Sequence, residues 1–326
     1  MLSAFVPQPQ GLARFELRAG AAIPGESIWL DLLEPTPSEE KQVESFLSID
    51  VPTRDEMREI ESSNRLYEED GSLYMTATVV TKLDSDLPES TQITFILSAT
   101  KLVTNRYVDP LPFRRFVAYA ERHPASCNTP AAVLAGLVEA VINRVADVIE
   151  RVATDLDGAS VEVFSVQQQR RKRGTMRDFR RVLERLGQNG ELISKARESL
   201  VSLGRLLTFV QQTTSVPMTQ DVRGRFRTLT RDVMAMSDHA SFLGTKVSFI
   251  LDATLGQINI EQNNILKIFS VVTVFLLPPS VIGAVYGMNF THIPGATEPW
   301  GFWAAVGLML ASAIGPFLYF KRKGWL

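Results

Sequence analysis

Residues 268–288, IFSVVTVFLLPPSVIGAVYGM, hold no charged side chain over 21 positions. A helix needs about 20 apolar residues to cross a bilayer core. A second apolar run, residues 300–320, follows after a short loop. The pair reads as a C-terminal hairpin of two membrane spans, which the long polar part before it serves. Whole-chain averages hide this, because 45 % hydrophobic and 21 % charged residues would suit a soluble protein.

The rest of the composition excludes several classes. A net charge of −2 gives no argument for nucleic acid. Cys127 is the single cysteine, so no intrachain disulfide forms. With it, His123, His239 and His292 are too few and too scattered for a four-ligand zinc cage within one chain. The N-terminal stretch lacks a basic segment followed by an apolar core, so no signal peptide is expected. There is no P-loop, no HExxH and no GxSxG, so the chain is not expected to be an enzyme and no cofactor is expected.

Three segments follow in order: an α/β domain over residues 1–128, a long-helix stalk over 129–264 and a two-span membrane domain over 265–326. Strands are expected at 13–17, 27–32, 73–81, 91–97 and 101–107, where β-branched and aromatic residues cluster. Thr36 with Pro37 and Glu39 starts a helix. Thr53 with Glu56 makes a capping box for a second helix over 54–62, and a third is expected over 113–122. A long helix is expected from 131 to 186, ended by Gly187-Gln188-Asn189-Gly190, with an antiparallel partner over 191–212. The basic run 167–173 reads as a solvated helix face or an anion or lipid-headgroup contact. Pro217 suits the first turn of the next helix. There Phe226, Leu229, Val233, Met236, Ala240, Leu243, Val247 and Ile250 alternate three and four apart. That seam packs either on the preceding helix pair or on copies of itself. Carried on into the first span, this helix covers about 70 residues, roughly 105 Å.

Lys321, Arg322 and Lys323 follow the second span, Lys267 starts the first, and the loop between them has no Lys or Arg. Both termini are therefore expected in the cytoplasm. Trp300, Trp303, Tyr319 and Trp325 lie near the expected interfaces. In the first span Asn263, Leu266, Ser270, Thr273, Leu277, Ser280 and Ala284 recur three or four apart. A polar stripe in lipid must face protein or water. It marks either helix packing through small residues or a water path that several subunits enclose. Pro278-Pro279 removes two backbone donors in mid-span, which indicates a kink.

The stretch Tyr286-Gly287-Met288-Asn289-Phe290, closing the first of two C-terminal spans, and the ending Lys321-Arg322-Lys323-Gly324-Trp325-Leu326 resemble the CorA-type divalent-cation transporter family. That resemblance implies a homopentamer in the inner membrane, in contact with lipid, with a cytoplasmic α/β domain, a funnel of long helices and a pore lined by the first span. It implies Mg²⁺, with Co²⁺ or Ni²⁺, as transported ions. It implies an outer selectivity ring of Gly287, Met288 and Asn289, and a pore lining that includes Asn263, Thr273 and Ser280. Leu266, Phe269 and Leu277 would form the apolar constriction. Divalent ions between cytoplasmic domains would hold the channel closed, and Asp84, Asp86 and Asp252 are candidates for that role by charge. The outer loop departs from the magnesium pattern: its Ile293-Pro294-Gly295 is similar to the zinc-transporting ZntB-like branch, where His292 would be a transient Zn²⁺ contact. A Zn²⁺ transporter, with proton coupling as one form of it, and a membrane-anchored scaffold are the alternatives.

Overall fold

The computed structural model describes residues 1–18, 20–59, 61–82, 88–169, 176–289, 293–295 and 298–323. The chain divides into two units, Met1–Asp252 and Ala253–Leu326.

The first unit opens with β1 (Leu2–Gln8), β2 (Gly11–Leu17), β3 (Trp29–Leu33), α1 (Pro37–Leu47), α2 (Ser62–Arg65) and β4 (Leu66–Glu69). It continues through β5 (Ser72–Thr81), β6 (Glu89–Leu97), β7 (Leu102–Arg106) and α3 (Leu111–Ala120). The strands form one sheet in the order β2-β1-β3-β7-β6-β5-β4. β3 and β7 pair in parallel, and the other pairs are antiparallel.

The expected strands are all present, and two more join them, β1 between β2 and β3 and β4 at the edge beside β5. β1 carries Pro7, which argues against a strand in sequence. Its bonds to β3 cover only Leu2 to Phe5, so Pro7 pairs on one side alone and its missing N–H leaves no gap in a ladder. β4 is a short edge strand bearing Glu68 and Glu69, which discourage further pairing.

Leu2, Ala4, Leu30, Leu32 and Val103 bury one sheet face with Val43 of α1. On the other face Phe5 stacks on Trp29 at 3.9 Å, and Trp29 meets Phe116 of α3 edge-on at 5.9 Å. Beneath α3, Arg106 grips Asp31 through two bonds of 3.0 and 2.7 Å, both side chains being buried. Asp31 also accepts from Thr104, which in turn accepts from the Trp29 indole. This satisfied network ties β3 to its parallel partner β7, with the Arg106 guanidinium 4.9 Å from the Phe113 ring of α3; a broken pair would strand a buried charge.

The helix expected over 54–62 is instead one 3₁₀ turn, Glu56–Arg58, followed by α2. The Thr53–Glu56 capping bonds form at 2.8 and 3.4 Å. The chain then leaves the helix because the Glu59 carbonyl accepts from Arg65 Nε at 2.5 Å, and Glu59 is extended. Thr36 and Glu39 do form a capping box for α1, with Pro37 in the first turn.

α4 (Pro130–Gln169), α5 (Met176–Gln212) and the start of α6 (Gln220–Tyr286) complete the unit. The break expected at residues 187–190 is absent, since α5 runs through both glycines. Glycine costs about 1 kcal/mol in a helix. Around these two, Leu186 and Ile193 are buried, Asn189 donates to Asp155 of α4 at 2.6 Å, and Arg185 donates to the same carboxylate at 2.5 Å. Packing and these bonds outweigh propensity. α4 ends at Gln169 and α5 begins at Met176, so most of the basic run 167–173 lies outside the described residues. Pro217 likewise precedes α6, whose first turn is capped by Thr219 accepting from Val222 N at 3.3 Å. The expected seam is turned into the chain: Phe226, Leu229, Val233, Ala240, Leu243 and Ile250 are buried. Gly204 lies against Val233, and Gly190 against Val247, so the seam packs on α5.

Cys127 is buried, and burial pushes its thiol up to about 11, with Arg225 opposing. It is protonated and unreactive near neutral pH.

Two outcomes follow. A methyl group at Gly136 of α4 would sit 2.3 Å from the Phe116 ring. Gly136→Ala is therefore expected to cost about 1–3 kcal/mol by overpacking, read as a lower melting midpoint of the purified protein. Burial alone would raise the Asp155 carboxyl, but the Arg185 and Asn189 bonds outweigh it and hold the group below its ordinary range. A depressed carboxylate stabilises the fold above its unfolded pKa, and that contribution is lost as pH falls through the folded value. Asp155→Asn is expected to lower the midpoint at pH 7, with the deficit shrinking below about pH 4.

Candidate functional site

The second unit holds the rest of α6 and α7 (Gly301–Arg322). Both helices contain windows long and apolar enough to cross a membrane, and none of the α6 window is buried within the chain. A core helix of a soluble protein would hide such a surface.

Residues about 100° apart on a helix define its faces. Asn264, Val271, Pro278, Pro279, Ile282 and Gly283 are the half-buried positions on this part of α6 beyond Glu261. They fall toward one side of the helix, and Asn264, Val271 and Pro278 repeat at heptad spacing. A Cβ at Gly283 would lie 3.4 Å from Met309 Cε, so this side meets α7. α7 answers with small residues, Gly301, Ala305 and Ala313 being buried. Absent side chains let two helices approach closely in lipid.

The polar stripe lies on the opposite side. Leu266, Ser270, Thr273, Leu277, Ser280 and Ala284 are all exposed, with Asn263 and Phe269 on its flanks. Leu266, Phe269 and Leu277 are 62 %, 66 % and 58 % exposed. Packing within the hairpin therefore does not account for the stripe. Sequence spacing exposed the stripe but not the α7-facing side; the signal for that side was the seven-residue spacing of Asn264, Val271 and Pro278.

The hydroxyls on the stripe are donors to the helix itself. Ser270 Oγ donates to Leu266 O at 2.9 Å, Thr273 Oγ1 to Phe269 O at 2.9 Å and Ser280 Oγ to Leu276 O at 2.7 Å. Their hydrogens are committed, so each offers only oxygen lone pairs outward. Pro278 and Pro279, on the α7-facing side, remove the helical donors of the Val274 and Phe275 carbonyls. The stripe itself offers hydroxyl acceptors and carries no charge.

α6 closes at Tyr286. Gly287 N donates to Gly283 O at 3.0 Å and to Ala284 O at 3.2 Å, and Met288 N to Val285 O at 3.3 Å. Asn289 then leaves the helix exposed, with its amide bonded to no described residue. Gly287, Met288 and Asn289 are thus contiguous at the α6 end. His292 and Trp325 lie outside the described residues.

Trp300 and Tyr319 are exposed near the two ends of α7, about 28 Å apart at 1.5 Å per residue. That is close to a hydrocarbon thickness of about 30 Å. Lys321 and Arg322 fill the last turn, and Lys323 lies 5.8 Å from the Tyr319 ring.

Asp252 is exposed on α6. Asp84 and Asp86 lie outside the described residues. Among the described residues no group of three or more His, Cys, Asp or Glu gathers so as to hold a metal.

Comparison with known proteins adds sequence to geometry. The family described as CorA-like Mg²⁺ transporter protein matches residues 24–322. The magnesium transport protein CorA of Mannheimia succiniciproducens is 32 % identical over 328 residues, covering 100 % of both chains. That of Yersinia pseudotuberculosis is 32 % identical over 326 residues, again with 100 % of both covered. The complete structure of the CorA magnesium transporter from Methanocaldococcus jannaschii superposes with a TM-score of 0.78 at 18 % identity, covering 100 % of this chain and 99 % of that one. That likeness is one of fold.

Gly283→Leu is expected to push α7 away and lower the melting midpoint of the purified protein. Gly256→Ala, where an added Cβ meets nothing within 4 Å, is expected to leave the midpoint level or raise it by helix propensity.

Proposed function

The chain belongs to the family of CorA-like Mg²⁺ transporter proteins, and on that premise we propose that it carries Mg²⁺ across the inner membrane through a pore built by five copies of α6. Family membership makes it a membrane transport protein and not an enzyme. The observation that carries the proposal is the acceptor-rich stripe of α6, turned away from the α7-facing side and ending beside the exposed Asn289.

In this reading the five stripes face a common axis. Asn263, Thr273 and Ser280 line the path, and Leu266, Phe269 and Leu277 narrow it. An apolar ring of that kind closes by dewetting. Gly287, Met288 and Asn289 form the outer ring. Mg²⁺ gives up its waters reluctantly, so a ring of amide oxygens accepts hydrogen bonds from those waters and leaves the hydration shell in place. A carboxylate ring would bind too firmly to release the ion, and conduction needs weak, repeated sites. Co²⁺ and Ni²⁺ travel by the same route.

The basic residues after α7 and the Lys- and Arg-free loop set both termini in the cytoplasm. Cytoplasmic divalent ions bridge acidic groups of neighbouring copies, with Asp84, Asp86 and Asp252 as the candidates. Losing those ions shifts the population toward open states.

Uptake into proteoliposomes tests the proposal. Mg²⁺ should enter faster than Zn²⁺, at a rate indifferent to a pH gradient. Asn289→Ala should reduce Mg²⁺ uptake to the level of protein-free vesicles. Undiminished uptake by that variant contradicts the amide ring. Zn²⁺ uptake that exceeds Mg²⁺ uptake and needs a proton gradient assigns the chain to zinc instead. Failure of the intact protein to move either ion favours a membrane-anchored scaffold.

A further inference from the structure

A cavity of about 430 Å³ lies between the β4–β5 edge of the sheet and α5, within the first unit. Arg65, Arg197 and Arg205 line it with Glu198 as their one carboxylate, a formal excess of two positive charges. Transport of a cation has no use for such a surface.

The arginines are arranged for an anion. Arg65 is held across the floor: its Nε donates to Glu59 O at 2.5 Å and its Nη1 to Thr78 Oγ1 at 3.2 Å. Thr78 is itself buried. The guanidinium plane is therefore set before any ligand arrives, and its remaining N–H groups donate to no other described residue. Arg197 and Arg205 stand eight residues apart on α5, two turns along one face, with Val201 between them. Arg197 forms no ion pair or hydrogen bond with a described residue. The Glu198 carboxylate accepts from Ser90 Oγ at 3.5 Å.

Three guanidinium groups about one cavity repel one another, and a multiply charged anion relieves that repulsion. A phosphate group matches their fork geometry in two-pronged contacts. A single phosphate would fill little of the space, which falls in the range of about 300–1,000 Å³ common for small-molecule sites. We propose that this cleft binds a small polyphosphate-bearing anion, held by Arg65 and Arg197 with Arg205 adding to the positive field.

Calorimetric titration of the whole detergent-solubilised protein tests this in buffer containing a chelator and no divalent metal. Inorganic pyrophosphate and adenosine triphosphate are titrated separately. One saturable site per chain is expected for at least one of them. Binding of pyrophosphate alone identifies an inorganic ligand, and binding of the triphosphate alone identifies a nucleotide. Arg65→Ala and Arg197→Ala should each weaken binding at least about tenfold, one such step being the loss of a charge-assisted contact. Glu198→Gln should tighten it several-fold, and it tests the site even where an arginine variant fails to fold. Absence of saturable binding for both anions overturns the proposal. So does binding that is unchanged by the arginine substitutions or by Glu198→Gln. None of these readouts depends on ion transport.

Discussion

Hydrocarbon offers no partner to a polar group, and that constraint shapes the C-terminal two-span segment of this chain. Ser270, Thr273 and Ser280 meet it locally by donating to the carbonyl four residues back or one turn below. The same bonds turn their lone pairs outward. Pro278 and Pro279 free two further carbonyls in the same stretch. A helix that needed only to anchor would carry leucine at such positions. The oxygens opposite the α7-facing side call for water, or for the same surface on another copy.

The soluble unit restricts how copies can meet. The seam from Phe226 to Ile250 is consumed inside the chain, against α5. Lys246 of α6 also donates to Asp157 of α4 at 2.5 Å, which fixes the rotation of α6 about its axis there. Other faces of α6 remain open, and Met234, Phe242 and Phe249 are about 60 % exposed along one of them. Phe249 on that face stacks on Phe164 of α4 at 5.9 Å, so this face too is partly engaged within the chain.

Much of this architecture was legible in the sequence, and the failures have identifiable causes. Alternation and β-branched residues located five strands, whereas Pro7 concealed β1 because sequence does not reveal which edge of a strand goes unpaired. Thr36 and Thr53 carry the same capping pattern, yet only Thr36 opens a long helix; after Thr53 the chain straightens at Glu59, whose carbonyl accepts from Arg65 six residues on. Gly187 and Gly190 signalled a helix end, but α5 runs through them, its Leu186 and Ile193 buried and its Arg185 and Asn189 bonded to Asp155 on another helix. The stripe on α6 was visible as spacing. The α7-facing side carried only the seven-residue spacing of Asn264, Val271 and Pro278, a pattern that does not say which partner it meets. The cleft beside Arg197 joins residues more than a hundred positions apart in the chain and has no sequence signature.

The orientation of the α6 stripe is open to a direct measurement. Cys127 is buried and its thiol is pushed up to about 11, so the native background is silent to thiol reagents. Single cysteines at Thr273 and Ser280, and at Val271 and Ile282, are exposed in lipid vesicles to a charged reagent that cannot enter hydrocarbon. Modification at 273 and 280, with protection at 271 and 282, is the result expected of helices gathered about an aqueous axis. Equal protection at all four positions, or modification confined to 271 and 282, would contradict it.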